Sequence, residues 1–288
     1  MEARWWQGGY DPAGTLTEAV CGLCFHGCRL TVDKAGLCGV RRCTPAGLES
    51  PCLGRFSSRA VDPIEKKPLA HWRPGSWIFS LGSLGCTMRC PFCQNHHIAQ
   101  PQKAVPLKEL DHRHLATAVR KLGLSAVAYT YNEPALQAEY ILAAAPLLRE
   151  AGIATVLVTN GMFSPALVRE LAPWIEAANV DLKTFSPRAY AALGGSLDVV
   201  RDNILFLADA GVHLELTTLV VPGISDAEED FLRAVDWVAA LSPDLPLHIS
   251  RYFPAHAYAA PPTDISLLQR FAALARQKLA HVHVGNVR

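Results

Sequence analysis

The sequence predicts an α/β fold: a partial (β/α)6 barrel over residues 71–288, preceded by a small cysteine-rich metal-binding module over residues 1–70. Three observations predict it. From residue 77 onward, short apolar runs alternate with helical patterns about six times, the signature of a parallel sheet with crossover helices. The runs are almost wholly apolar, as expected where helices cover a sheet or a barrel closes. Polar groups gather just after these runs, where β/α folds place their reactive side chains. A doubly wound open sheet is the alternative topology.

The elements follow in order. Residues 1–70 are rich in Gly, Pro and Cys, short on helical periodicity, and read as an irregular segment that a metal could hold together. Residues 77–84 read as a strand, as do 126–131, followed by a helix to Glu150. Residues 154–159 form a strand ended by Asn160-Gly161. Ser164-Pro165 then opens a helix, with Ser as N-cap and Pro in the first turn. Residues 179–183 are a short strand, and the helix over 198–210 stops at Gly211. Strands over 212–221, 247–252 and 281–284 alternate with helices over 226–241 and 265–279. His96-His97 and His112/His114 fall on no clear element and read as surface.

Composition narrows the function. Half of the 288 residues are hydrophobic and 18% are charged, which excludes a disordered chain. Lys+Arg 27 against Asp+Glu 26 leaves a formal charge of +1, so neither nucleic acid nor an anionic membrane is an expected partner. No run reaches the roughly 20 apolar residues of a membrane span, and no signal-peptide h-region follows the N-terminus. The expected compartment is the cytoplasm. There, nine cysteines in two clusters read as metal ligands or reactive thiols rather than disulfides.

Cys86-Thr-Met-Arg-Cys90-Pro-Phe-Cys93 sets three thiols on a loop just after a strand. Structural zinc wants four ligands and closed coordination. Three thiolates suit a [4Fe-4S] cluster with one iron left open. The C-x3-C-x2-C spacing, with Phe92 before the last Cys, resembles the signature of the radical S-adenosylmethionine (SAM) superfamily. Further motifs run along the chain: Asp62-Pro-Ile-Glu-Lys-Lys-Pro-Leu69, Tyr129-Thr-Tyr-Asn-Glu-Pro134, Val158-Thr-Asn-Gly161, Val180-Asp-Leu-Lys183 and His248-Ile-Ser-Arg-Tyr-Phe-Pro254. With them the chain is similar to the glycyl-radical-enzyme activases such as pyruvate formate-lyase activating enzyme. Within that group it most resembles the branch called AmmeMemoRadiSam-system radical SAM enzymes.

The resemblance implies a partial barrel of the radical SAM type, a [4Fe-4S] cluster on Cys86, Cys90 and Cys93, and SAM bound at the open iron. It implies that Phe92, Asn132, Glu133, Asn160, Asp181, Lys183 and His248 lie at the cofactor. Glu133 would meet the SAM ammonium, although it could instead cap the following helix, and Asn160 could serve only its Asn-Gly turn. The implied electron donor is a flavodoxin or ferredoxin, and the substrate a protein or a small molecule. Two departures bear on the substrate. Val158 stands where some activases carry an acidic cation ligand, and Ser80-Leu-Gly-Ser-Leu-Gly85 stands where glycyl-radical activases carry Asp-Gly-Pro-Gly.

Cys21, Cys24, Cys28 and Cys38 form a second group, open to zinc or to a second Fe–S cluster. Cys43 and Cys52 look incidental, and His26 reads as a solvated loop residue. Two functions remain: a radical SAM oxidoreductase, of activating-enzyme type or acting on another substrate, and a zinc protein that docks a partner without chemistry.

Overall fold

In the computed structural model, which describes residues 1–287, the chain opens with short antiparallel strands. β1 (Trp6–Tyr10), β2 (Leu16–Cys21) and β3 (Arg29–Thr31) make one small sheet, and β4 (Arg42–Thr44) and β5 (Gly47–Glu49) make a hairpin. β6 (Arg55–Phe56) follows, then β7 (Ser58–Pro63). The N-terminal segment is therefore strand-rich rather than irregular. β3 to β6 have two or three residues each, too few to show the alternation that marks a half-buried strand.

The main sheet has eight strands. β8 (Trp77–Gly82) is its first parallel strand. The short β9 (Lys108–Glu109) pairs with β6 outside it. β10 (Ala126–Tyr129), β11 (Ala154–Thr159), β12 (Ala177–Asp181), β13 (His213–Val220), β14 (Leu247–Arg251) and β15 (Val282–Gly285) then pair in sequence order, all parallel. β7 adds to β8 antiparallel, so β7 and β15 are the two edges and the barrel is partial. Among the described residues no helix is long and apolar enough to cross a membrane.

The crossovers hold α1 (His96–Ala99), α2 (His112–Lys121), α3 (Ala138–Glu150), α4 (Pro165–Leu171), α5 (Pro187–Ala192), α6 (Leu197–Asp209), α7 (Glu228–Leu241) and α8 (Ile265–Ala275). Ser164 caps α4 by accepting from Leu167 N–H, as its Ser-Pro start predicts. The histidines left unassigned by sequence belong to α1 and α2. α2 is hard to read because only Leu115 and Val119, one turn apart, are buried.

The concave face of the sheet carries its own apolar cluster. Ile78, Ala126, Ala128, Ala154, Val156 and Ala177 pack against Ile64 and Leu69. The alanines leave room for the chain after β7 to run inside the barrel. It is tied there by polar contacts: Asn179 Nδ2 donates to the Pro68 carbonyl at 2.8 Å, and the Ala70 and His71 N–H groups donate to the Glu215 carboxylate.

Candidate functional site

The C-terminal ends of β8, β10, β11 and β12 converge on one cavity of about 340 Å³. Its wall includes Cys86, Cys90 and Cys93, together with Phe92, Asn132, Glu133, Asn160, Asp181 and Lys183. Six of the seven cofactor residues expected from sequence are thus brought together.

Much of this shell positions the cysteine loop. Asn132 accepts from Ser83 N–H at 2.9 Å and donates to the Gly85 carbonyl at 2.9 Å, pinning the strand-to-loop turn. Asn95 Nδ2 donates to the Tyr131 carbonyl at 2.8 Å, and Gln100 Nε2 to that of Cys90 at 3.3 Å. The buried Phe92 ring meets Tyr252 and Tyr258 edge-on. Gly85 has φ 83°, and a Cβ there would lie 2.5 Å from the Cys38 carbonyl oxygen. Glycine is therefore required, because the N-terminal segment packs directly on this turn.

All nine cysteines are free. Burial raises the pKa of the three loop thiols, that of Cys90 to about 11. Burial, then Glu133, then charge on Cys90 and Cys93 push Cys86 up. Three neighbouring, largely desolvated thiols ionise together only against a cation, and the Cys86 sulfur already faces donors: Met88 N–H at 3.4 Å and Asn160 Nδ2 at 3.5 Å. Among the described residues, no three His, Cys, Asp or Glu side chains are gathered into a ready cage for one metal ion. Three thiolates with no fourth cysteine on the cavity wall leave one iron of a cubane open, and this donor set suits such a cluster.

Glu133 is 1% exposed. One carboxylate oxygen accepts from Ala135 N–H and Thr159 Oγ1, and the other from Asn160 N–H at 3.0 Å. Glu133 therefore does cap the turn beginning at Pro134, yet its second oxygen keeps accepting capacity toward the cavity. Burial pushes its pKa up to about 7 against these hydrogen bonds. Lys183 Nζ lies 2.5 Å from Asp181 Oδ2. Burial works against the ammonium, but the Asp181 carboxylate outweighs it and holds the lysine well above its usual pKa.

His248 does not join this wall. It is 8% exposed, with Nε2 2.6 Å from Glu215 Oε2 and its ring stacked on His283. Glu215, itself 0% exposed, also meets His213. The reason is depth. His248 is the second residue of β14, at the N-terminal end, whereas the cavity lies at the C-terminal ends.

Cys21, Cys24, Cys28 and Cys38 line a separate cavity of about 10 Å³ beside Arg41. Burial, opposed by a backbone hydrogen bond and joined by charge on the other three thiols, pushes Cys24 up to about 12. Arg41 is 1% exposed; one terminal nitrogen pairs with Glu139, while Nε and Nη1 have no partner. Two orphaned cationic donors beside four thiols suit an anionic metal–thiolate group. His26 is not solvated: its Nε2 lies 2.7 Å from the Thr87 carbonyl of the other cysteine loop. Sequence spacing carried no signal for that contact, nor for Arg41.

Comparison with known proteins agrees with this architecture. The family model described as the radical SAM superfamily matches residues 81–235, more than half of the chain. The chain belongs to the radical SAM superfamily, and membership implies a [4Fe-4S] cluster and SAM. An uncharacterized protein of Methanocaldococcus jannaschii is 31% identical over 271 residues, which span 93% of this chain and 81% of that one. The 7-carboxy-7-deazaguanine synthase of Thermococcus kodakarensis is 30% identical over 118 residues, 41% of this chain and 44% of that one. Streptococcus suis SuiB bound to S-adenosylmethionine superposes with a TM-score of 0.54 at 17% identity, over 69% of this chain and 47% of that one. This last likeness speaks for the fold alone.

Proposed function

We propose that this radical SAM enzyme reductively cleaves SAM and uses the product to take a hydrogen atom from a substrate other than a pyruvate formate-lyase-type enzyme. The observation that carries it is the convergence of Cys86, Cys90 and Cys93 with Glu133, Asn160, Asp181 and Lys183 on one cavity. Cys86, Cys90 and Cys93 would hold the cluster, which with a flavodoxin- or ferredoxin-type donor would supply the one electron for reductive cleavage of the SAM C–S bond, giving methionine and, once a substrate hydrogen atom is taken, 5′-deoxyadenosine.

The chain's own residues bind and orient. The unspent edge of Glu133 accepts from the SAM ammonium, a charge-assisted bond. Asp181 and Lys183 hold a fixed ion pair beside the ligand. Asn132 and Asn95 fix the loop, and buried Met88 and Phe92 exclude water from the thiols. The Ser80–Gly85 run, which replaces the activase Asp-Gly-Pro-Gly, supports a different substrate edge. We place a structural zinc at the N-terminal cysteines. Four thiols opening with a Cys-x2-Cys pair would supply the closed coordination that structural zinc takes.

The test is anaerobic reconstitution, dithionite and SAM, with 5′-deoxyadenosine read by chromatography. Formation of 5′-deoxyadenosine supports the reading, and its absence in the cluster-loaded enzyme overturns it. A glycyl doublet on incubation with a pyruvate formate-lyase-type enzyme would reassign the substrate to that class.

A further inference from the structure

An open groove of about 770 Å³ runs between the two edges of the sheet. Pro63 and Glu65, at the end of β7 and just beyond it, form one side, and Val284, Asn286 and Val287, from β15 onward, the other. The groove meets the cluster cavity at a neck, because Lys66, Gln94 and Asn286 line both. All three are exposed, and all three carry donors that the fold leaves largely unspent.

Lys66 Nζ reaches only Asp62 Oδ1, at 3.5 Å. That carboxylate is already engaged by Lys67 Nζ at 2.7 Å and by Tyr131 Oη at 2.5 Å. Gln94 has no side-chain hydrogen-bond partner among the described residues. Asn286, held at φ 58°, donates only to the Arg251 carbonyl at 3.4 Å, too long for a strong bond. Glu65, which lines the groove but not the cluster cavity, accepts from Gly75 N–H at 2.7 Å.

Asp62 and Glu65 offset the formal charges of Lys66 and Lys67, but of the residues lining both groove and cavity Lys66 alone is charged, and two amides stand beside it. Lys67 is 2% exposed, is paired with Asp62 and packs its ammonium 4.6 Å from the Tyr131 ring centroid, so it braces the wall behind the neck and leaves Lys66 as the charge that faces it. Tyr131, at φ 70°, is held in the left-handed region by these contacts and by Asn95.

We propose that Lys66, Gln94 and Asn286, backed by the Lys67–Asp62 pair, bind an anionic group of the substrate, a carboxylate or a phosphate, at the neck between groove and cluster cavity. One weakly paired ammonium flanked by two amide NH2 groups suits an oxyanion, and the charge-assisted bond from Lys66 supplies most of the affinity. The group anchors the substrate at the entrance, leaving the remainder of the molecule to reach the SAM site. This rests on the cavity being the SAM site of a radical enzyme.

The test uses the reconstituted, SAM-saturated enzyme at fixed ionic strength. Inorganic phosphate and acetate are titrated separately, following line broadening of the ³¹P or ¹³C signal. Saturable binding of either is expected, and which one binds tighter identifies the source. Lys66→Met should weaken it at least fivefold and Lys66→Glu at least tenfold. Gln94→Ala and Asn286→Ala should each weaken it two- to threefold. Lys66 is exposed, so its variants should keep the parent melting temperature. Lys278→Met, at a distant exposed pair, should bind as wild type does. Absence of saturable binding, or equal binding by Lys66→Glu and wild type, overturns the proposal. SAM cleavage is read separately on the wild type. Its failure beside intact anion binding would sink the enzymatic reading and leave the anion site standing.

Discussion

His26 Nε2 lies 2.7 Å from the Thr87 carbonyl oxygen, tying the N-terminal cysteine loop to the loop that carries Cys86, Cys90 and Cys93. A carbonyl only accepts, so the ring nitrogen must carry the proton. The contact makes the first module a brace for the second. His26→Phe removes the donor and keeps a ring, costing about 1 kcal/mol of loop stability. Reconstituted His26→Phe should bind the same iron as wild type but lose it several-fold faster to a chelator. Equal loss rates would show that the two loops are not coupled.

Cys90→Ser should abolish dithionite-driven 5′-deoxyadenosine formation and deplete the brown absorbance near 400 nm. A buried serine hydroxyl cannot replace the thiolate. Full product formation by this variant would remove the triplet from the chemistry.

Arg41 and Glu139 form a pair with side chains 1% and 4% exposed that joins the N-terminal module to α3. Breaking a buried pair leaves an uncompensated charge, at a cost of about 3–5 kcal/mol. Glu139→Ala should lower the melting temperature strongly, and Arg41→Met/Glu139→Leu should recover much of the loss. Metal analysis of the parent should give zinc beyond the cluster iron, and Cys21→Ser should remove it while the cluster spectrum persists. A preparation with neither zinc nor extra iron would refute the N-terminal site.

The histidine cluster sets the acid stability. Burial, then the neighbouring His248 and His71, hold the His283 pKa below 6.5. The unfolded chain then binds the proton first, so this contribution is present above about pH 6.5 and is lost as pH falls below it. Burial works against the Glu215 carboxylate, but hydrogen bonds from His213, His248, His71 and Ala70 outweigh it and hold it well below the usual range. Its contribution is present above about pH 4.5 and is lost as pH falls further. The melting temperature should therefore drop between pH 7 and 4. His283→Asn should flatten the upper part of that slope and Glu215→Gln the lower part. Acid loss of metal affects all three proteins, so the comparison with wild type isolates the titration. Parallel slopes would exclude these groups.

Much of the barrel was legible before folding. The strands ending near Asn160 and Asp181 announced themselves as apolar runs closed by polar residues, and their positions at the strand ends placed Glu133, Asn160, Asp181 and Lys183 beside the cysteine loop. α2 was not legible, since two buried residues in ten make a faint stripe. Nor were β3 to β6, whose two or three residues give no period.

By itself, the sequence determined the spacing of Cys86, Cys90 and Cys93, the order of strands and helices, and the residues at the strand ends. These depend on near neighbours along the chain. Only the tertiary structure decided that His248 lies deep beside Glu215, that the segment after β7 runs inside the sheet, and that Lys66, Gln94 and Asn286 meet at one neck. Those facts depend on where strands begin relative to one another and on what fills the space between them. Packing between distant segments sets both, and no local pattern records it.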